Sequence, residues 1–310
     1  MKTLVTGGAG FIGSHVVDAL VSAGHQVAVV DNLWELGGGR LENVNQKARF
    51  YQLDVRDESI VGVFEKVQPE VVFHLAAQHS VKLSTDDPAH DAQVNVLGLI
   101  NLLGCCTRFN TRKVVFSSSG ATYGTVDNMP IDERTAQHPE SPYAITKLAS
   151  EGYLQYWRAM YGLDYAALRY GNVYGPRQDP LGEAGVIAIF TRAILLGEQI
   201  RIDWDGEQQK DYIYVEDVAR ANLAAISQHE GEAYCIASEQ GTSVNSLHRE
   251  LVGIVGQDVE VVPAPKRPGD IYLSYFNCQK AVHGLGWEPQ VSLGDGLQRT
   301  VDYFKDKLEL

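Results

Sequence analysis

The chain has 310 residues, 45% of them hydrophobic, which is enough for a sizeable core and too apolar for a disordered segment. Lys and Arg number 26 against 39 Asp and Glu, a net charge of −13. That balance speaks against non-specific binding to nucleic acid or to anionic membranes, which both need basic patches; a phosphate ligand, needing only one or two local cations, stays open.

The N-terminal residues read as a strand over Lys2–Thr6 that runs into glycines, with no apolar h-region of a signal peptide. Thr6-Gly7-Gly8-Ala9-Gly10-Phe11-Ile12-Gly13 follows and opens a helix expected over Phe11–Ala23. Gly7, Gly10 and Gly13 suit a tight turn, close backbone approach to a pyrophosphate, and close helix–strand packing. The helix N-terminus would add free N–H groups and positive potential for the phosphates. A second strand, Gln26–Asp31, ends in a carboxylate that can bond the adenosine ribose hydroxyls. Asp31 repels a 2′-phosphate, Asn32 rather than an arginine follows it, and Arg40 lies further along a Gly-rich loop. The expected cofactor is therefore NAD rather than NADP.

A third strand, Arg49–Leu53, brings Asp54 either to the adenine amino group or to the cap of a helix over Asp57–Lys66. A strand over Val71–His74 and a helix over Pro88–Arg108 come next, then a strand over Lys113–Ser117 that delivers Ser117-Ser118-Ser119. In the helix expected over Ser141–Tyr161, Tyr143 and Lys147 stand four apart and share a face. A phenol of pKa about 10 is a poor base near neutrality. A neighbouring ammonium and a positive nicotinamide ring favour its phenolate, and a serine hydroxyl can hold the substrate oxygen while the proton leaves. Tyr165–Arg169 reads as the next strand.

Strand–helix alternation of this kind predicts an α/β fold, a doubly wound parallel sheet (Rossmann), over residues 1–171. After Asn172 the texture is broken by Gly, Pro and charged residues, which predicts a second, smaller and loopier substrate-binding domain over residues 172–310. Strands near Asp211–Val215 and Glu232–Ala237 are expected to rejoin the first sheet. The most apolar stretch, Gly185 to Leu196, carries Arg192 and is too short to span a bilayer. Cys105, Cys106, Cys235 and Cys278 form no C-x-x-C pair and no zinc-like cluster with histidine. Free thiols, no metal and a cytoplasmic location are the expectation.

The chain resembles the extended short-chain dehydrogenases/reductases over essentially its whole length, and within them the UDP-glucose 4-epimerases. Besides the glycine motif, the resemblance rests on Phe73-His74-Leu75-Ala76-Ala77, on Ser117-Ser118-Ser119 before Tyr123-Gly124, and on Ser141-Pro142-Tyr143 through Lys147. It continues through Arg169-Tyr170-Gly171-Asn172-Val173-Tyr174-Gly175-Pro176-Arg177, Asp211-Tyr212-Ile213-Tyr214-Val215-Glu216-Asp217-Val218 and Arg267-Pro268-Gly269-Asp270. The resemblance implies that Tyr143 is the catalytic base, that Lys147 bonds the nicotinamide ribose, and that Ser119 holds the sugar oxygen. It places Phe11, Ile12, Asn32, Val55, Leu75, Ala76, Ala77 and Tyr170 at the cofactor with Gly7, Gly10, Gly13, Asp31 and Asp54. It places Asn172 and Arg267 at the diphosphate of a UDP-sugar, with Arg177 and Asp270 nearby. Lys210 stands where the family usually has arginine, so it keeps the charge but lacks the bidentate fork.

Related 4,6-dehydratases carry an Asp-Glu pair just after the serine position, and related UDP-glucuronate decarboxylases a Glu; this chain has Gly120, Ala121 and Thr122. The simplest remaining chemistry is oxidation at carbon 4, rotation of the keto-sugar and return of the hydride. A UDP-sugar oxidoreductase and a UDP-glucuronate epimerase or decarboxylase of the same fold are the alternatives. In related epimerases the position seven residues after the arginine of Arg-Pro-Gly-Asp stands beside carbon 2 of the sugar. Here that position is Ser274, with Tyr275 next to it, and a small residue there implies room for an N-acetyl group. The resemblance also implies a homodimer through a four-helix seam, for which Leu97, Leu99, Leu102, Leu103, Leu154, Tyr156 and Trp157 are the candidates.

Overall fold

Aliphatic and β-branched residues dominate the short runs of the first half, as strands buried on both faces require. The computed structural model describes residues 1–181, 185–227, 231–266 and 271–310. Arg267 and Asp270 lie outside the described residues. The strands of the first half are β1 (Lys2–Thr6), β2 (Gln26–Asp31), β3 (Arg49–Gln52), β4 (Val71–His74), β5 (Lys113–Ser119) and β6 (Asp164–Tyr170). Those that follow are β7 (Asn172–Tyr174), β8 (Ile200–Asp203), β9 (Gln209–Tyr214), β10 (Glu232–Ile236), β11 (Gly241–Ser243), β12 (Val261–Ala264) and β13 (Leu273–Ser274). The helices up to the middle of the chain are α1 (Phe11–Ser22), α2 (Ile60–Val67), α3 (Val81–Asp86), α4 (Pro88–Ala92), α5 (Gly98–Arg108) and α6 (Pro142–Tyr161). The later ones are α7 (Val186–Leu196), α8 (Val215–Ala224), α9 (Val244–Val255), α10 (Gln279–Leu285) and α11 (Leu293–Leu308).

Seven parallel strands form the main sheet in the order β10-β6-β5-β4-β1-β2-β3. Alternate side chains go to opposite faces. Val5, Val29, Phe73, Val115 and Leu168 pack with residues of α1 and α8 on one face. Leu4, Val30, Val72, Val114, Phe116 and Ala167 pack with residues of α2, α5 and α6 on the other. Strand order reverses between β1 and β4, the switch point where such sheets open a crevice at the carboxyl ends of their strands.

The segment near Asp211–Val215 departs from the expectation that it rejoins the main sheet. β9 is instead the centre of a small sheet, paired with β7, β11 and β13. The reason is in its side chains: Tyr212 and Tyr214 pack into a separate core with Phe190, Ile194, Leu247, Leu251, Leu297 and Val301 from α7, α9 and α11. The half after Asn172 is also less loopy than its glycines and prolines imply, since its described residues form five helices. Among the described residues no helix is long and apolar enough to cross a membrane.

Two helical stretches set the site. α6 starts where Ser141 accepts the Ala144 amide and Pro142 takes the first helical position, and it stops at Gly162 with φ 71°. The single helix expected over Pro88–Arg108 is instead three pieces: α4, capped by Asp87, a π-helical turn over Gln93–Leu97, and α5. The wide turn aims Asn95 inward, where its amide accepts the Gln78 N–H and donates to the Gln78 carbonyl and to Thr146 of α6. Of the seven seam candidates, Leu99, Leu102, Leu103 and Leu154 are buried in the protein's own core, because they face the sheet. Leu97 and Tyr156 are exposed, Trp157 is half-buried, and Ile145, Tyr153, Met160 and Tyr161 extend the exposed apolar face of α6.

Candidate active site

A cleft of about 1160 Å³ runs across the carboxyl ends of the strands, from the glycine turn after β1 to the small sheet. At the switch point, Thr6 Oγ1 and His74 Nδ1 lie 2.7 Å apart and tie the end of β1 to that of β4. Burial pushes His74 down to about 3, so it stays neutral. Gly7 has φ 71°, and a Cβ added there would stand 2.6 Å from the Ala76 amide nitrogen. A Cβ at Gly13 would collide with the Gly7 carbonyl oxygen. The turn is thus a cradle that side chains would fill, and it leaves the start of α1 open to an anion. Gly10, Phe11, Ile12, Leu75, Ala76 and Ala77 line the cleft beside it.

Asp31 ends β2 with its carboxylate accepting the backbone N–H groups of Ala9 (3.0 Å) and Leu33 (2.9 Å). It lines the cleft, and burial raises its pKa. Asp54, left open between two roles, does not cap the next helix. It accepts Asn32 Nδ2 at 2.9 Å and pairs with Arg56, whose hydrogen bonds hold it down to about 2. Asn32, Asp54 and Val55 all line this end. Arg40 is turned to Asp179 at 2.7 Å, across the lip of the cleft. These residues fit a dinucleotide: the glycine turn, the start of α1 and the Asp31 carboxylate follow one another along one groove.

Ser119, Tyr143 and Lys147 meet at the middle of the cleft. β5 brings the serine and α6 the other two. Ser119 hydrogen-bonds Tyr143, and Lys147 Nζ donates to the Ser117 carbonyl at 2.7 Å. The ammonium sits 5.8 Å from the Tyr143 ring centre and 4.9 Å from that of Phe116. Tyr143 is pushed up to about 12 by burial, against the lowering expected from its neighbours; its hydrogen bond with Ser119 acts the other way but is outweighed. Lys147 is drawn down to about 8 by burial, opposed by the carboxylates of Asp91 and Glu151. Gly120 follows Ser119, and a Cβ there would collide with the Phe276 ring. Phe276 is buried against Tyr123, so no side chain fits at position 120, and Ala121 and Thr122 carry no acid.

Tyr170 lines the cleft with its ring while its hydroxyl accepts Asn222 Nδ2 at 2.8 Å. Asn172, Arg177 and Lys210 line the far half. Arg177 pairs with Asp18 of α1 at 2.7 Å, and Lys210 Nζ donates to the Ile271 carbonyl. Ser274 pairs with Lys210 between β13 and β9 but is not among the residues lining the cleft. Sequence reasoning missed two parts of the wall. One is the Trp34–Gly39 loop, whose three consecutive glycines were the available signal. The other comprises Arg201, Gln208 and Phe190, which no local pattern marks because the small sheet is assembled from distant segments.

The family described as GDP-mannose 4,6 dehydratase matches residues 4–300. A UDP-glucose 4-epimerase of Thermotoga maritima, solved with UDP-glucose, is 49% identical, with a TM-score of 0.97 over 99% of this chain and 100% of its own. A UDP-glucose 4-epimerase of Thermus thermophilus in complex with NAD is 42% identical, with a TM-score of 0.93 over 98% and 99% of the two chains. A UDP-N-acetylglucosamine 4-epimerase of Methanobrevibacter ruminantium, in complex with UDP-N-acetylmuramic acid, is 36% identical, with a TM-score of 0.93 over 99% and 98%. The chain belongs to the extended short-chain dehydrogenase/reductase family, within its group of epimerases.

Proposed function

We propose that the protein is an NAD-dependent 4-epimerase of UDP-hexoses. The observation that carries this reading is Phe276 filling the space at Gly120 beside an intact Ser119, Tyr143 and Lys147. On this reading Ser119, Tyr143 and Lys147 are the redox machinery, position 120 has no room for an acid that would divert a keto-sugar to water loss, and Ala121 and Thr122 supply none.

The residues along the groove from Gly7 to Lys147 would hold NAD, which would supply reversible hydride exchange at carbon 4 and a positive ring that favours the Tyr143 phenolate. Tyr143 takes the proton from the 4-hydroxyl and, once the keto-sugar has turned its other face to the hydride, returns the proton to the same oxygen. Ser119 holds that oxygen through the exchange, and Lys147, fixed by the Ser117 carbonyl, orients the cofactor ribose and keeps a positive charge beside the phenol. Asn172 and Lys210 bind the diphosphate, an assignment supported by their place in the cleft past the catalytic residues. Four buried thiols without disulfides suit work in the cytoplasm, and a second copy of the chain covers the apolar face of α6.

The test is a panel of UDP-sugars incubated with the purified protein, with NMR detection of the carbon 4 epimer. Interconversion of UDP-glucose and UDP-galactose without added reductant is the expected result. Turnover only with added reductant would move the assignment to an oxidoreductase.

A further inference from the structure

α6 carries a third polar residue on its catalytic face. Tyr143, Lys147 and Glu151 are spaced four apart, so they lie in one row. Glu151 is buried, and its carboxylate is held on three sides. Arg169 of β6 donates to it twice, from Nε at 3.0 Å and from the guanidinium end at 2.6 Å. Ser118 of β5 donates its hydroxyl to it at 2.6 Å. Arg169 is itself buried and also donates to the Tyr123 hydroxyl at 2.7 Å and to Gln137 at 3.2 Å. Ser118 sits between the residue whose carbonyl receives Lys147 and the residue whose hydroxyl meets Tyr143.

We propose that Glu151 is a positioning residue for the reaction: clamped by Arg169 and Ser118, it fixes the rotation of α6 on β5 so that Tyr143 meets Ser119 and Lys147 meets the Ser117 carbonyl, and it stands its carboxylate in the same helix row as Lys147. The geometry explains why a charge pair is buried here, where a hydrophobic pair fills the same volume at no electrostatic cost. An ion pair with hydrogen bonds to two strands permits one helix rotation, whereas packed aliphatic side chains tolerate several. The groups facing Lys147 are few. Asp91 of α4 lies behind it, bonded to Gln78, Asn95 and Thr146. Neutral His74 of β4 and Tyr143 of α6 complete the set with Glu151. Asp91 and Glu151 both favour the charged amine, against burial. Removing the charge of Glu151 therefore makes Lys147 lose its proton at lower pH.

The role of Lys147 beside Tyr143 rests on the epimerase reading, so the test has one arm that needs no turnover. Glu151→Gln keeps the acceptor for Ser118 and Arg169 but removes the charge. The Lys147 ammonium is followed by its side-chain 15N shift against pH in the protein as purified, assigned by loss of the signal in Lys147→Arg. In Glu151→Gln the midpoint should fall by about one pH unit, and the alkaline limb of kcat should move with it while KM stays within about twofold, since the residue touches no substrate. If Glu151→Gln does not fold, Glu151→Gln with Arg169→Gln leaves no buried charge unpaired; because the cation goes with the anion, its Lys147 midpoint should fall by less than in the single variant, and a rise there would overturn the proposal. An unmoved Lys147 midpoint in the folded variant overturns the proposal, whatever the protein's stability does. A moved midpoint in a protein that epimerises no UDP-sugar upholds the electrostatic link and sinks the epimerase reading instead.

Discussion

In the proposed mechanism Tyr143 acts as a base although burial pushes it up to about 12, so its proton would leave under the influence of charges around it. Its removal is the sharpest residue-level test. Tyr143→Phe should lower kcat by about 10²–10⁴-fold and leave UDP-sugar binding, measured by calorimetry, nearly unchanged, because the nucleotide is held by other residues. A variant within tenfold of wild type would mean another group moves the proton. Ser274 is the second case. Ser274 pairs with Lys210, which lines the cleft, whereas Tyr275 lies against Gly241. Wild type should therefore accept UDP-GlcNAc, and Ser274→Tyr should cut its kcat/KM relative to UDP-glucose by about tenfold or more; an unchanged ratio would remove Ser274 as the gate. Residues such as Asp31, Tyr143 and Lys147 were legible because their spacing follows from one strand or one helix. Arg201 and Gln208 were not, since nothing local shows that β8, β9 and α7 wall one cleft. The sign of the shift at Tyr143 was also hidden, because burial is a property of the whole fold.

The elements of the first half announced themselves through period and punctuation. β1, the glycine turn and α1 form a unit in which each glycine does a steric job that can be tested alone. In Gly13→Ala the new methyl collides with the Gly7 carbonyl oxygen. Relief of overpacking of this kind costs about 1–3 kcal/mol, so the turn should open and cofactor affinity should fall by about tenfold or more. The protein as purified should release NAD, not NADP, on denaturation, and the Gly13→Ala protein should release much less with its circular dichroism unchanged. A full NAD complement in the variant would show that the turn tolerates the methyl. The break of the Pro88–Arg108 stretch was not legible: nothing in Gln93–Leu97 alone demands a wide turn, and its cause is the distant hydrogen bonding of Asn95 to Gln78 and Thr146. The same holds for β9, whose tyrosines read as an ordinary buried strand until α7, α9 and α11 supply their partners.

At the scale of the whole molecule, α6 presents a run of exposed apolar side chains. Ile145, Tyr156, Met160 and Tyr161 of α6 are each at least half exposed, and Leu97 beside α5 is 57% exposed. Tyr153, Tyr156, Trp157 and Tyr161 also touch one another as a ring cluster on that helix. A contiguous patch of aromatic and aliphatic side chains is what an interface core requires. The proposed occupant is a second copy, because a two-fold axis lets the same face meet itself, so that α6 and the turn carrying Leu97 would pack against their counterparts. The inward face of α6 holds Tyr143 and Lys147, so covering its outward face would brace the catalytic helix from behind. Light scattering at micromolar concentration should report twice the monomer mass. Tyr156→Glu with Met160→Glu places four carboxylates in a symmetric interface and should yield monomers, because unpaired charges there lose water without gaining a partner. If the dimer braces α6, the monomeric variant should also lose several degrees of Tm and part of its kcat, with NAD still bound. Wild type scattering as a monomer at that concentration would leave the patch without this partner, and a monomeric variant with unchanged kcat would separate assembly from catalysis.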